Sequence, residues 1–196
     1  VLQSHGTALP AIPARVLPTG QLDVLFSFGT TLNLPGITAQ DTKIPVQTYL
    51  AGPMDAAFDT TLVGCLDILW VRFKLGCGAL FTQSALHEVV GHNVVLDMLR
   101  RPEQTAMLER MAATPDMRQR IALFEQWFIQ AVQQRTALDA DVIQAVALIE
   151  RSQGNLPIEH LAQTLNLSRR HLARKFAVHV GLSPKRLARL VRLRRR

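Results

Sequence analysis

The hydrophobic pattern of this chain changes period once. Up to about Gly78 apolar residues tend to alternate with polar ones, the repeat of a strand with one buried face; beyond it they recur at about 3.6 residues, the repeat of an amphipathic helix. Leu22–Phe28 is the clearest strand. Leu22, Val24, Phe26 and Phe28 fall on one face, Asp23 and Ser27 on the other, with Gly20 and Gly29 as bounds. Val46–Leu50 is a shorter strand ended by Gly52-Pro53, and Asp67–Phe73 a third, broken by Gly76-Cys77-Gly78. Pro10, Pro13 and Pro18 exclude helix nearby, so Val1–Pro18 reads as irregular, running out of the tail of a strand. Thr30–Lys43 reads as loop, with a turn at Pro35-Gly36.

In the second half, Ser84–Val90 is a short helix candidate, and Asn93–Leu99 fits a strand or a helix equally. Glu103–Ala112 and Pro115–Arg135 read as helices, the latter with Ile121, Phe124, Phe128 and Val132 in one stripe. Asp139 or Asp141 can cap the next helix, which presents Val142, Val146 and Ile149 on one face and closes at Gly154-Asn155. The fold class expected is therefore α+β. A β-rich sandwich or barrel over 1–80 precedes a helical connector over 81–137 and an all-α module over 138–196.

The stretch Leu161–Leu190 carries the most information. Leu161, Ala162 and Leu165 recur at helical spacing, and Ala162 is small where a second helix must cross. Asn166-Leu167 makes a turn, because Asn tolerates a left-handed backbone where Gly is more usual. Ser168 is a good N-cap. On the helix it opens, Leu172 and Phe176 lie four apart and face inward, with Val180 one turn on. Arg170 and Arg174, also four apart, lie roughly 200° around from them and face outward. Gly181 ends this helix, and Ser183-Pro184 starts another with Pro at its first position. Two short helices, a tight turn and an arginine-bearing second helix are the layout of a helix-turn-helix that reads the DNA major groove.

The string S-R-R-H-L-A-R-K-F-A-V-H-V-G-L-S-P-K-R-L closely resembles the first DNA-binding repeat of AraC/XylS-type transcriptional regulators. Ser168, Leu172, Arg174, Phe176, Gly181, Ser183 and Pro184 carry the likeness. The family has two such repeats joined by a long helix. Pro184–Arg196 matches the start of that helix, so the expectation is a member truncated after its first repeat; lacking an initiating Met, the chain also reads as a fragment or as processed at its start. Leu190 and Val191, which a second repeat would cover, are expected to be partly exposed. Arg15–Gly29, Gly52-Pro53 and Trp70–Gly78 resemble an uncharacterised N-terminal domain of some AraC-type regulators, with Leu75 standing where a proline is expected. That likeness implies a sensory or oligomerisation role.

Charge agrees with a polyanion partner. Leu161–Arg196 holds nine Arg, two Lys and no acid, or +11. The whole chain is +7, so the first 160 residues sum to −4. The two cysteines, Cys65 and Cys77, lack metal-ligand companions at useful spacing and read as reduced thiols of a cytoplasmic protein. No apolar run is long enough to span a membrane and no signal peptide opens the chain. His87-Glu88 and His92 differ from a zinc-protease helix: the histidines are five apart and diverge by about 140°. Gly76-x-Gly78 lacks the third glycine of a dinucleotide loop. Asp55 and Asp59 read as surface residues, and Trp70 and Trp127 as core.

The reading is a DNA-binding transcriptional regulator, not an enzyme, with no cofactor and no metal. Arg170 and Arg174 are the expected base readers, since Arg pairs bidentately with guanine. Ser168, Arg169, His171, Lys175, Lys185, Arg186 and Arg189 are the expected phosphate contacts. For Arg169 and Arg186 plain solvation is equally open, and for His171 a role bracing the fold. The partners implied are double-stranded DNA, a small-molecule effector of unknown identity and a second copy in a homodimer; no membrane is implied. The alternative is a small-molecule-sensing or dimerisation module whose DNA-binding half is vestigial.

Overall fold

The computed structural model describes residues 2–3, 9–28, 46–64, 67–82, 84–95, 102–133 and 138–194. The expected loop at Thr30–Lys43 with its Pro35-Gly36 turn, and Cys65, lie outside them. The described residues form an α+β fold, β-rich at the N-terminal end and helical at the C-terminal end.

Among the described residues seven strands make two antiparallel sheets. They are β1 (Leu2–Gln3), β2 (Leu9–Val16), β3 (Asp23–Ser27), β4 (Gln47–Ala51), β5 (Phe58–Gly64), β6 (Asp67–Arg72) and β7 (Asn93–Val95). The larger sheet runs β1-β6-β3-β4-β7, and β2 pairs with β5 in a separate ribbon. β3 lies at the centre, and Asp23 to Ser27 are all buried. Its alternation therefore separates two buried surfaces rather than core from water. Val24 and Phe26 face the larger core, and Leu25 faces the other side with Tyr49 and Ile68. Asp23 is held by a two-pronged pair with Arg72, both contacts at 2.8 Å.

The ribbon corrects the expectation of an irregular N-terminal stretch. β2 contains both Pro10 and Pro13, which a two-stranded ribbon tolerates because each strand has an unpaired edge. Its pairing with β5 slips between Leu9 and Ile12, beside Pro10. Within Ser84–Val90, the short helix candidate, Leu86–Val89 forms a 3-10 helix, and Asn93–Val95 resolves as a strand.

Helices α1 (Pro102–Ala112) and α2 (Met117–Gln133) cover one face of the large sheet. Met107, Leu108, Met111 and Phe124 are buried against Val24, Phe26, Leu50 and Leu69. Phe124 stacks on Phe128 at 5.6 Å and meets Phe26 at 5.4 Å, and Phe128 reaches Phe73 at 5.4 Å. Arg120, only 5 % exposed, staples this layer. It donates to the carbonyls of Thr114 (2.6 Å) and Met111 (3.1 Å), pairs with Asp67 at 2.6 Å and lies over the Phe28 ring. A buried guanidinium is tolerable only with such full pairing.

Four helices follow: α3 (Ala140–Arg151), α4 (Ile158–Thr164), α5 (Arg169–His179) and α6 (Pro184–Leu193). Their core contains Val142, Val146, Ile149, Leu161, Leu172, Phe176, Leu182 and Leu187, together with Leu75 from the chain that leaves β6. No helix among the described residues is long and apolar enough to cross a membrane.

Candidate nucleic-acid interface

The local rules that shape α4, the turn and α5 are satisfied one by one. The chain leaves α4 through Asn166 at φ 54°, a left-handed residue whose cost Asn bears better than most. The Leu167 N–H donates to the Ala162 carbonyl at 2.9 Å, closing the turn. The Ser168 hydroxyl accepts the His171 N–H at 3.2 Å, and the Ser183 hydroxyl accepts the Arg186 N–H at 3.3 Å, so both following helices start from a capped end. Leu172 and Phe176 are fully buried. Burial of this α5 face leaves the opposite one to water, and Arg170 and Arg174 are exposed on it. Among the described residues no ion pair engages either arginine. Lys185 and Arg189, four apart on α6, are likewise exposed.

The other expected contacts are placed differently. Lys175 points to α3. Its Nζ lies 2.6 Å from Asp139 and 2.8 Å from Asp141, which raises its pKa, chiefly through the Asp139 hydrogen bond. Burial would raise the Asp139 pKa, but the Lys175 hydrogen bond, the Val142 N–H and the nearby charges of Lys175 and His179 outweigh it, so the carboxyl sits below its usual range. Lys175 thus ties α5 to the start of α3. Arg169 pairs with Glu159 across the turn at 2.6 Å, both exposed; the hydrogen bonds hold the Glu159 pKa down. Ser168 is exposed but spends its oxygen on the cap, and His171 is half-buried behind it.

Arg186 meets the N-terminal half, pairing with Asp55. Arg194 donates to the Thr19 carbonyl and, at 3.2 Å, to Gln21 Oε1. Between them Gly20, at φ 65°, lies against Leu182, Leu187 and Leu190; a Cβ there would come within 3.0 Å of Leu190 and 3.1 Å of Leu182. Leu190 is consequently 3 % exposed. This overturns the expectation that Leu190 is partly exposed: the 19–21 segment covers it. Leu193 is 50 % exposed, and Val191 half-buried.

Sequence reasoning missed Asp55 as a partner, because nothing local in the sequence announces a contact so distant along the chain. It also missed Arg120, which occupies a buried position on α2 where helical periodicity alone would suggest an apolar residue. Cys77 carries a free thiol whose pKa burial pushes up, an environment opposite to that of a reactive cysteine. Among the described residues no three His, Cys, Asp or Glu side chains are grouped to hold a metal ion.

Residues 2–95 match the family model described as a domain of unknown function, DUF6597. No curated protein and no solved structure matches the chain.

Proposed function

We propose that this protein is a sequence-specific DNA-binding regulator of transcription of the AraC type, with α5 as the helix that enters the major groove. The observation that carries the reading is the pairing of a fully buried Leu172–Phe176 face with an exposed Arg170–Arg174 face behind a Ser-capped start. Arg170 and Arg174 read base edges. Lys185 and Arg189 hold the backbone, with the Ser168 end of α5 beside them, and Arg169 and Arg186 add to that set when they exchange Glu159 and Asp55 for phosphate. Lys175 serves as a brace. The matched domain over 2–95 supports the reading, since such domains are common in AraC-type regulators. The partner is double-stranded DNA, and the setting that suits it is the cytoplasm.

The test is selection of binding sites from random duplexes by wild-type protein, Arg174→Ala and Lys185→Ala. Arg174→Ala should lose sequence preference, with about 1–3 kcal/mol less discrimination at one position. Lys185→Ala should weaken all duplexes alike and reduce the salt slope. Equal loss by Arg174→Ala on selected and random DNA would refute the groove-facing assignment.

A further inference from the structure

The β2–β5 ribbon does not close tightly on the sheet beneath it. Between them lies a cavity of about 100 Å³, walled by Val16 and Phe58 of the ribbon and by Leu25, Ala51, Ile68 and Trp70 of the sheet. Packed sheets fill such a space with interdigitating side chains. Here it stays open because small residues, Ala14 from the ribbon and Ala51 and Gly52 from the sheet side, stand where larger ones would fill it. Leu17 also lines the cavity and is 68 % exposed, so the space reaches the surface.

The wall also carries Thr19, Gln21, Thr60 and Asn93, and two further polar features bear on what it would accept. The charged residues in the wall, Asp23 and Arg72, satisfy one another at 2.8 Å, and the Arg72 guanidinium lies 5.2 Å from the Trp70 ring centre. The wall thus offers no uncompensated charge. The Trp70 indole Nε1 is buried and has no acceptor among the described residues. A buried indole N–H normally finds one, and leaving it orphaned is unfavourable.

We propose that this cavity is a binding site for a small, uncharged, mostly apolar molecule that carries one hydrogen-bond acceptor, received by Trp70 Nε1. At about 100 Å³ the enclosed space is smaller than the apolar cavity of about 150 Å³ that holds benzene, so a single ring with a short substituent fits by extending into the open mouth beside Leu17. The site stands on the cavity and the orphaned donor alone and is independent of the DNA-binding reading.

The probe is acetophenone, a neutral ring with one carbonyl, with toluene (no acceptor) and benzoate (charged) as comparisons. The protein's two tryptophans give two indole N–H signals in a nitrogen–proton correlation spectrum of the full chain. Acetophenone should move the Trp70 signal downfield and leave that of Trp127. Toluene should move it much less, and benzoate not at all. Ala51→Leu, which fills the cavity, should abolish the response while keeping the wild-type unfolding temperature. Should Ala51→Leu not fold, Trp70→Phe serves instead: acetophenone should raise the unfolding temperature of wild type more than that of Trp70→Phe. A Trp70 signal unmoved by millimolar acetophenone, or moved equally by toluene or benzoate, would overturn the proposal. So would an undiminished response in folded Ala51→Leu, or equal stabilisation of wild type and Trp70→Phe.

Discussion

Replacing Asp139 separates the two tasks of one carboxylate. One oxygen accepts the Val142 N–H at 3.1 Å and caps α3; the other lies 2.6 Å from Lys175 and 3.8 Å from His179 on α5. Asp139→Ala removes both. The cap contributes about 1 kcal/mol. The charge contributes about 0.5 kcal/mol through Lys175, modest because Asp141 still holds that ammonium at 2.8 Å. A further ~0.5 kcal/mol comes from a negative charge at a helix N-terminus. Asn caps as well as Asp does, so Asp139→Asn keeps the first contribution and loses the others. The expected losses are about 2 kcal/mol for Ala and about 1 kcal/mol for Asn, read from urea unfolding at neutral pH. The pH dependence gives a second check. The folded pKa of Asp139 lies below its ordinary value of 3.8. Its stabilisation is complete above that ordinary value and is lost as pH falls through the lower, folded one. The folded pKa of Lys175 lies above 10.5, so its share is complete below that value and is lost as pH rises through the folded one. The gap between wild type and Asp139→Asn should therefore be flat across neutral pH and close on the acid side. Equal destabilisation by Ala and Asn would refute the division of labour, and a gap that widens in acid would refute the sign.

Three further outcomes are expected. Gly154→Ala should cost at least about 2 kcal/mol in denaturant unfolding, because Gly154 has φ 75° and an added Cβ would sit 2.2 Å from the Ala188 carbonyl oxygen. Leu172→Ala, at a site with no exposure, should cost about 2–5 kcal/mol by the same measurement. Asp55→Asn should tighten binding to any duplex by up to roughly fivefold at low salt, since Arg186 no longer has a carboxylate competing with phosphate; the gain should fade as salt is raised in a fluorescence titration.

Much of the helical end was legible from the residues. Ser168 caps the helix expected of it, a helix starts at Ser183-Pro184, Asp139 rather than Asp141 is the cap of α3, and Asn166 takes the left-handed backbone its position requires. These are short-range effects, set by chemistry within a few residues. β3 was legible as a strand, but alternation could not say that both its faces are buried, since that depends on the ribbon above it. β5 was not seen at all: Phe58–Gly64 has little alternation, and its partner strand carries two prolines. Among the expected phosphate contacts, periodicity set Lys175 and Arg186 on helices but could not show Asp139, Asp141 and Asp55 waiting for them. Ion pairs between distant segments leave no periodic trace.

Leu75 follows a strand of the N-terminal sheet yet lies 7 % exposed in the core of the helical end, and Gly20 packs against Leu182, Leu187 and Leu190 of that same core. The two halves are therefore not interchangeable cartridges. A graft that moved α3–α6 onto a foreign partner would carry away a socket without its plug, and a hybrid gene joined between the halves would inherit two exposed wounds. Any exchange of the α3–α6 unit between chains has to travel with matching pieces of the sheet, so the two halves pass on as one block.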